Sequence, residues 1–94
     1  MQIENDLIKI ICKIENASDM HLLFQELFTE AELVTLNLRW KLMKDLYSGM
    51  SQRKIAEKYG ISLCKITRGS KVLKKENSSV LKILGKIFEQ KKGD

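Results

Sequence analysis

The residues with the most to say about chemistry lie between positions 50 and 75, MSQRKIAEKYGISLCKITRGSKVLKK. Arg53, Lys54, Lys58, Lys65, Arg68, Lys71, Lys74 and Lys75 stand there against one acid, Glu57. From Lys65 to Lys75 no acid interrupts the run. Like charges three or four positions apart on a helix repel by a few tenths of a kcal/mol. A one-signed face therefore points to a polyanionic partner that offsets the repulsion, and phosphate is the usual one. A second feature sits inside the same run, Arg68-Gly69-Ser70. Glycine in a helix costs about 1 kcal/mol relative to alanine. Two uses could offset that cost. One is close packing against another helix. The other is a slot for a flat ligand, with a guanidinium beside it to stack on a ring or pair with a carboxylate.

These side chains need two short helices to hold them. Ser51 can cap the first, accepting an N–H left unpaired in its opening turn. Ile55, Ala56 and Tyr59 then recur at helical spacing, away from Arg53, Lys54 and Lys58. Gly60 can end this helix in the left-handed conformation that a missing Cβ makes inexpensive. Ser62 is the expected cap of the second helix, and Leu63, Ile66 and Leu73 its expected inner face. Helix, glycine corner and helix is the pattern of a helix-turn-helix.

The rest of the chain fits an all-α fold of about six helices. Ninety-four residues make one small domain with a thin core, yet 44% of them are hydrophobic. Within that single domain we expect residues 1–48 to serve assembly, 50–75 to form the reading head and 78–90 to form a closing helix. Residues 1–48 hold five Lys/Arg and eight Asp/Glu, net −3, whereas 49–94 hold twelve and four, net +8. Residues 2–15 place Ile3, Leu7, Ile10, Ile11 and Ile14 on one helical stripe. A small monomer cannot cover so much aliphatic surface, so the stripe is expected to drive association into a homodimer. Ser18 or Asp19 is the expected cap of a short helix, Met20 to Phe28, that is nearly all core. Thr29-Glu30-Ala31-Glu32 is a capping box. A long helix follows, apolar on two sides, which ends at Gly49 and serves as a central post. Its faces are Leu33, Leu36, Trp40, Met43 and Tyr47, then Val34, Leu38, Leu42 and Leu46. Ser78 is the expected cap of the closing helix.

Other functions are excluded by what is missing. One histidine, His21, and scattered acids cannot assemble a nucleophilic triad or paired catalytic carboxylates, so no enzyme is expected. Cys12 and Cys64 lack metal-ligand spacing and are expected to be buried or half-buried free thiols. No apolar run reaches the roughly 18 residues of a membrane helix, and no signal-peptide pattern is present. A soluble cytoplasmic protein without membrane partners is expected.

MSQR, then ITRGS and Leu73-Lys74, resemble the bacterial tryptophan repressor family. Phe28-Thr29, Glu32, Leu36, Arg39 and Gly49 are similar in order and spacing, and the likeness covers about residues 20–90. It implies an intertwined homodimer that binds double-stranded operator DNA, with L-tryptophan as co-repressor and no other cofactor. Arg39 and Arg68 would enclose the indole ring, Gly69 would leave it room, and Arg68 would hold the carboxylate. Thr29 would lie near the amino group, and Val72 takes the position of a family serine that reaches it. On the DNA side the resemblance points to Gln52, Arg53, Ala56, Leu63, Cys64, Lys65, Thr67 and Lys71. The alternatives are a helix-turn-helix regulator that answers another small ligand or none, and a protein–protein adaptor that uses its basic face on an acidic partner.

Overall fold

The computed structural model describes residues 2–92, and side chains through Phe88. Among the described residues there are six helices and no strand: α1 (Asn5–Lys13), α2 (Ala17–Leu27), α3 (Glu30–Tyr47), α4 (Gln52–Tyr59), α5 (Leu63–Lys74) and α6 (Ser79–Lys92). The chain divides into two units, one ending at Leu36 and the other beginning at Asn37, so the boundary falls inside α3.

In the first unit the local signals differ in part from expectation. Helix α2 starts earlier than Met20, because Asn16 is its cap: the Asn16 carboxamide oxygen accepts from the Asp19 N–H at 2.8 Å. Neither Ser18 nor Asp19 does that work. The Thr29 capping box forms as expected. Thr29 Oγ1 accepts from the Glu32 N–H at 3.2 Å, and Glu32 Oε1 accepts from the Thr29 N–H at 2.9 Å. Phe24 and Phe28 pack with ring centroids 5.3 Å apart. Yet no described residue up to Leu36 is buried. Ile3 and Leu22 are 66% and 57% exposed, and Ile10, Leu27 and Val34 lie open as well. The expectation that α2 is core is therefore not met within the chain, because its apolar face has nothing over it.

The second unit has an interior. Leu42 of α3, Ile55 of α4 and Ile66 of α5 are buried together, with Leu38, Leu46, Met50, Tyr59 and Ile61 around them. Truncating such a fully enclosed aliphatic side chain to alanine costs about 2–5 kcal/mol. Of the predicted face Val34, Leu38, Leu42 and Leu46, the three leucines pack here with Met43, whereas Val34 is exposed. The other face divides: Trp40 and Leu36 remain about 37% and 38% exposed, while Tyr47 stacks on Phe88 of α6 at 5.0 Å.

Turn chemistry sets the angle between α4 and α5. Ser51 Oγ accepts from the Lys54 N–H at 3.2 Å. Gly60 lies at φ 63°, ψ 39°, and both its own N–H and that of Ile61 reach the Ala56 carbonyl. Gly49, at φ 96°, closes α3 as expected. Ser62 occupies the cap position of α5 but makes no side-chain capping bond. Leu63 is 52% exposed rather than turned inward, and it is not among the residues packed on the cluster that holds Ile66. Ser78 is buried and caps α6, accepting from the Leu81 N–H at 3.2 Å.

Candidate ligand cleft and nucleic-acid face

A helix with 3.6 residues per turn puts positions i, i+3, i+4 and i+7 on one side. On α5 those positions are Lys65, Arg68, Gly69 and Val72. On α3, Arg39, Leu42 and Met43 share a side by the same rule. These seven residues line a cleft of about 150 Å³ between the two helices. An apolar cavity of about that size takes up a benzene ring in a protein interior. Four of the five residues expected around a ligand, Arg39, Arg68, Gly69 and Val72, thus meet at one place. The fifth, Thr29, lies in the first unit, exposed and committed to its capping box.

Gly69 itself serves close packing. A Cβ built there would stand 2.5 Å from Leu42 Cδ1 and 3.5 Å from Leu46 Cδ1. The room a side chain would need is taken by the protein's own Leu42, while Gly69 also lines the cleft. The walls combine apolar Leu42, Met43 and Val72 with three cations, Arg39, Lys65 and Arg68, all exposed at their outer ends. The ion pair found among the described residues joins Lys58 to Asp45 at 3.0 Å and engages none of the three.

That pair belongs to a fastening that sequence reasoning missed. Asp45 of α3 accepts from the Tyr59 hydroxyl and from Lys58 Nζ, both on α4. Partial burial pushes the Asp45 carboxyl up, but the hydrogen bonds from Tyr59 and Lys58, with the Lys58 and Lys44 charges, outweigh it. The group is held below the usual carboxylate range. Lys58, drawn by its hydrogen bond to Asp45, is held above the ordinary lysine value. Asp45 and Tyr59 are 14 positions apart, and no short motif links them.

The residues expected to meet DNA separate by side of the helix. Arg53, Leu63, Cys64, Lys65, Thr67 and Lys71 are exposed, whereas Gln52 and Ala56 are half-buried. Ala56 packs against the Leu42–Ile55–Ile66 cluster. The Thr67 hydroxyl donates to Gln52 Oε1 at 3.2 Å, which leaves the Gln52 amino group free to donate outward. Cys64 and Cys12 are free and exposed, not buried as expected, because both lie on helix faces with nothing packed over them. Among the described residues, no group of His, Cys, Asp and Glu gathers with metal-ligand geometry, and no helix is long and apolar enough to cross a membrane.

Comparison with known proteins bears on all of this. No solved structure gives a significant match. A curated protein of Xylella fastidiosa (strain M23), called a Trp operon repressor homolog, is 39% identical over 72 residues, covering 76% of this chain and 78% of its own. Proteins of the same name from Chlamydia caviae and Chlamydia trachomatis serovar D are each 34% identical. They cover 73% and 71% of this chain, and 69% and 72% of their own. The family model for the Trp repressor protein matches residues 4–87, so the chain belongs to the Trp repressor family of regulatory proteins.

Proposed function

We propose that the protein is a tryptophan-responsive transcriptional repressor, acting as a homodimer on operator DNA in the bacterial cytoplasm and regulating genes of tryptophan metabolism. A role as a repressor follows from the family. The ligand reading rests on one observation above the others: a ring-sized cleft, walled by Arg39 and Arg68, that lies along the helix carrying Cys64, Thr67 and Lys71. An aromatic amino acid would place its ring against Leu42, Met43 and Val72 and its carboxylate near the guanidinium groups. Because α5 forms one wall of the cleft, occupancy can bias where that helix sits. A ligand shifts such an equilibrium only by its differential affinity for the two arrangements.

Two further features support the DNA reading. The opening N–H groups of α5 lack a side-chain cap, so they remain open to phosphate oxygens. Arg53 and Lys71 lie exposed on α4 and α5, with few acids around them in the sequence. The uncovered apolar side chains of α1 and α2 support the dimer, since a second copy would bury them. Two reading heads related by a two-fold axis would then address successive major grooves about 34 Å apart.

The experiment is a selection of binding sites from a pool of random duplexes, with and without millimolar L-tryptophan, beside calorimetry of the protein with tryptophan. Enrichment of a two-fold symmetric site only in its presence, with measurable heat of binding, is the expected result. Enrichment that ignores tryptophan, with no heat, would instead favour a regulator that answers another ligand or none. The absence of any enrichment would favour an adaptor that meets an acidic protein.

A further inference from the structure

We infer that Lys65 is a carboxylate-binding residue of the ligand cleft and not a phosphate contact. The inference rests on the ligand reading above and reassigns one residue within it. Resemblance alone puts Lys65 with the DNA-facing set, but the register of α5 does not. At 100° per residue, Lys65 lies about 100° to 160° around the axis from Cys64, Thr67 and Lys71. It lies instead within about 60° of Arg68, Gly69 and Val72. The cleft confirms that register, since Lys65 is among the side chains that line it, whereas Cys64, Thr67 and Lys71 are not.

Charge gives the residue its task. Arg39, Lys65 and Arg68 bring three positive charges to a cleft whose other walls, Leu42, Met43, Gly69 and Val72, carry no acid and no acceptor stronger than the Met43 thioether. Lys65 and Arg68 stand three apart on one helix face and repel each other. A carboxylate held between them relieves that repulsion and satisfies donors on both. An ammonium finds no carboxylate, carboxamide or hydroxyl among these side chains. The cleft of this chain is thus built to recognise the acid end of an aromatic amino acid, with two cations of α5 sharing it. Lys65 is a flexible point charge where Arg68 is a rigid fork, so Arg68 can orient the carboxylate while Lys65 adds attraction.

Calorimetry of the full-length protein with L-tryptophan and with L-tryptophanamide, which lacks the carboxylate, tests this on wild type, Lys65→Gln and Lys65→Arg. Lys65→Gln is expected to weaken tryptophan binding about 1.5- to fivefold, the range of an exposed ion pair, and to leave any binding of the amide unchanged. Lys65→Arg is expected to restore tryptophan affinity. The companion measurement is the salt dependence of DNA binding at saturating tryptophan. Its logarithmic slope is expected to be the same for wild type and Lys65→Gln. Unchanged tryptophan affinity in Lys65→Gln overturns the inference. A slope reduced by about 0.9 also overturns it, because that is the signature of one lost phosphate contact. If the wild type binds neither compound, the ligand reading itself fails and takes the inference with it, an outcome distinct from both.

Discussion

Replacing Gly69 with alanine separates the two roles that this position combines. A methyl group at Gly69 would meet Leu42 Cδ1 at 2.5 Å, well inside contact distance. Leu42 is 3% exposed and locked in the cluster with Ile55 and Ile66, so it cannot retreat into that interior. Its δ-carbon is the far end of a flexible side chain, and the open direction is the cleft it already lines. Forcing a methyl group into a packed site costs about 1–3 kcal/mol. Exchanging a helical glycine for alanine returns about 1 kcal/mol. The variant should therefore be less stable than wild type by about 0–2 kcal/mol, read from urea unfolding at fixed protein concentration. The displaced Leu42 methyl should also intrude on the ring's space. Tryptophan affinity should fall by about tenfold, equivalent to about 1.4 kcal/mol. Gly69→Leu, which adds three more carbons, should abolish binding. A Gly69→Ala protein about 1 kcal/mol more stable than wild type, with unchanged affinity, would show that neither the packing nor the cleft depends on the missing side chain.

Three further outcomes follow from other parts of the molecule. The Asp45 carboxyl is held below its ordinary value, so its contribution is present above that value and lost as pH falls through the folded-state value. Asp45→Asn should lower stability by about 0.5–1.5 kcal/mol at pH 7, and its deficit should shrink below about pH 4, as followed by thermal unfolding across pH 2–7. Arg53→Ala should reduce the salt slope of DNA binding by about 0.9, measured by fluorescence anisotropy, without altering calorimetric tryptophan affinity. The unfolding midpoint of the wild type should rise with protein concentration, and Ile10→Asp with Leu22→Asp should remove that dependence and shift sedimentation to the monomer.

Local signals in the sequence were legible wherever one residue type has one physical use. Gly60 and Gly49 stand at positive φ, Ser51 and Ser78 cap their helices, and Thr29 with Glu32 closes a reciprocal pair. Helical spacing likewise brought out Ile55 and Ile66 as interior residues. Capping failed where several candidates compete. Asn16, Ser18 and Asp19 are all competent, but Asn16 is the one with extended backbone at the helix start, Ser18 and Asp19 being already inside α2. At Ser62 the cap position is right, but the hydroxyl makes no capping bond. Contacts between distant helices were the least legible. Asp45 with Tyr59, and Leu42 against Gly69, depend on how α3 crosses α4 and α5, which no local spacing encodes. Lys65 is a middle case: its i, i+3, i+4, i+7 relation to Arg68, Gly69 and Val72 can be read from the sequence, but that this side of α5 lines a cleft with α3 cannot.

None of the described residues through Leu36 is buried, and this matters beyond architecture. A segment with no interior of its own borrows its order from whatever molecule covers it, so that order depends on how often the two meet. When the cover is another copy of the same chain, every tenfold drop in copy number weakens assembly by about 1.4 kcal/mol. The number of molecules a cell keeps then becomes a second input, set by synthesis and proteolysis, beside any metabolite the protein senses.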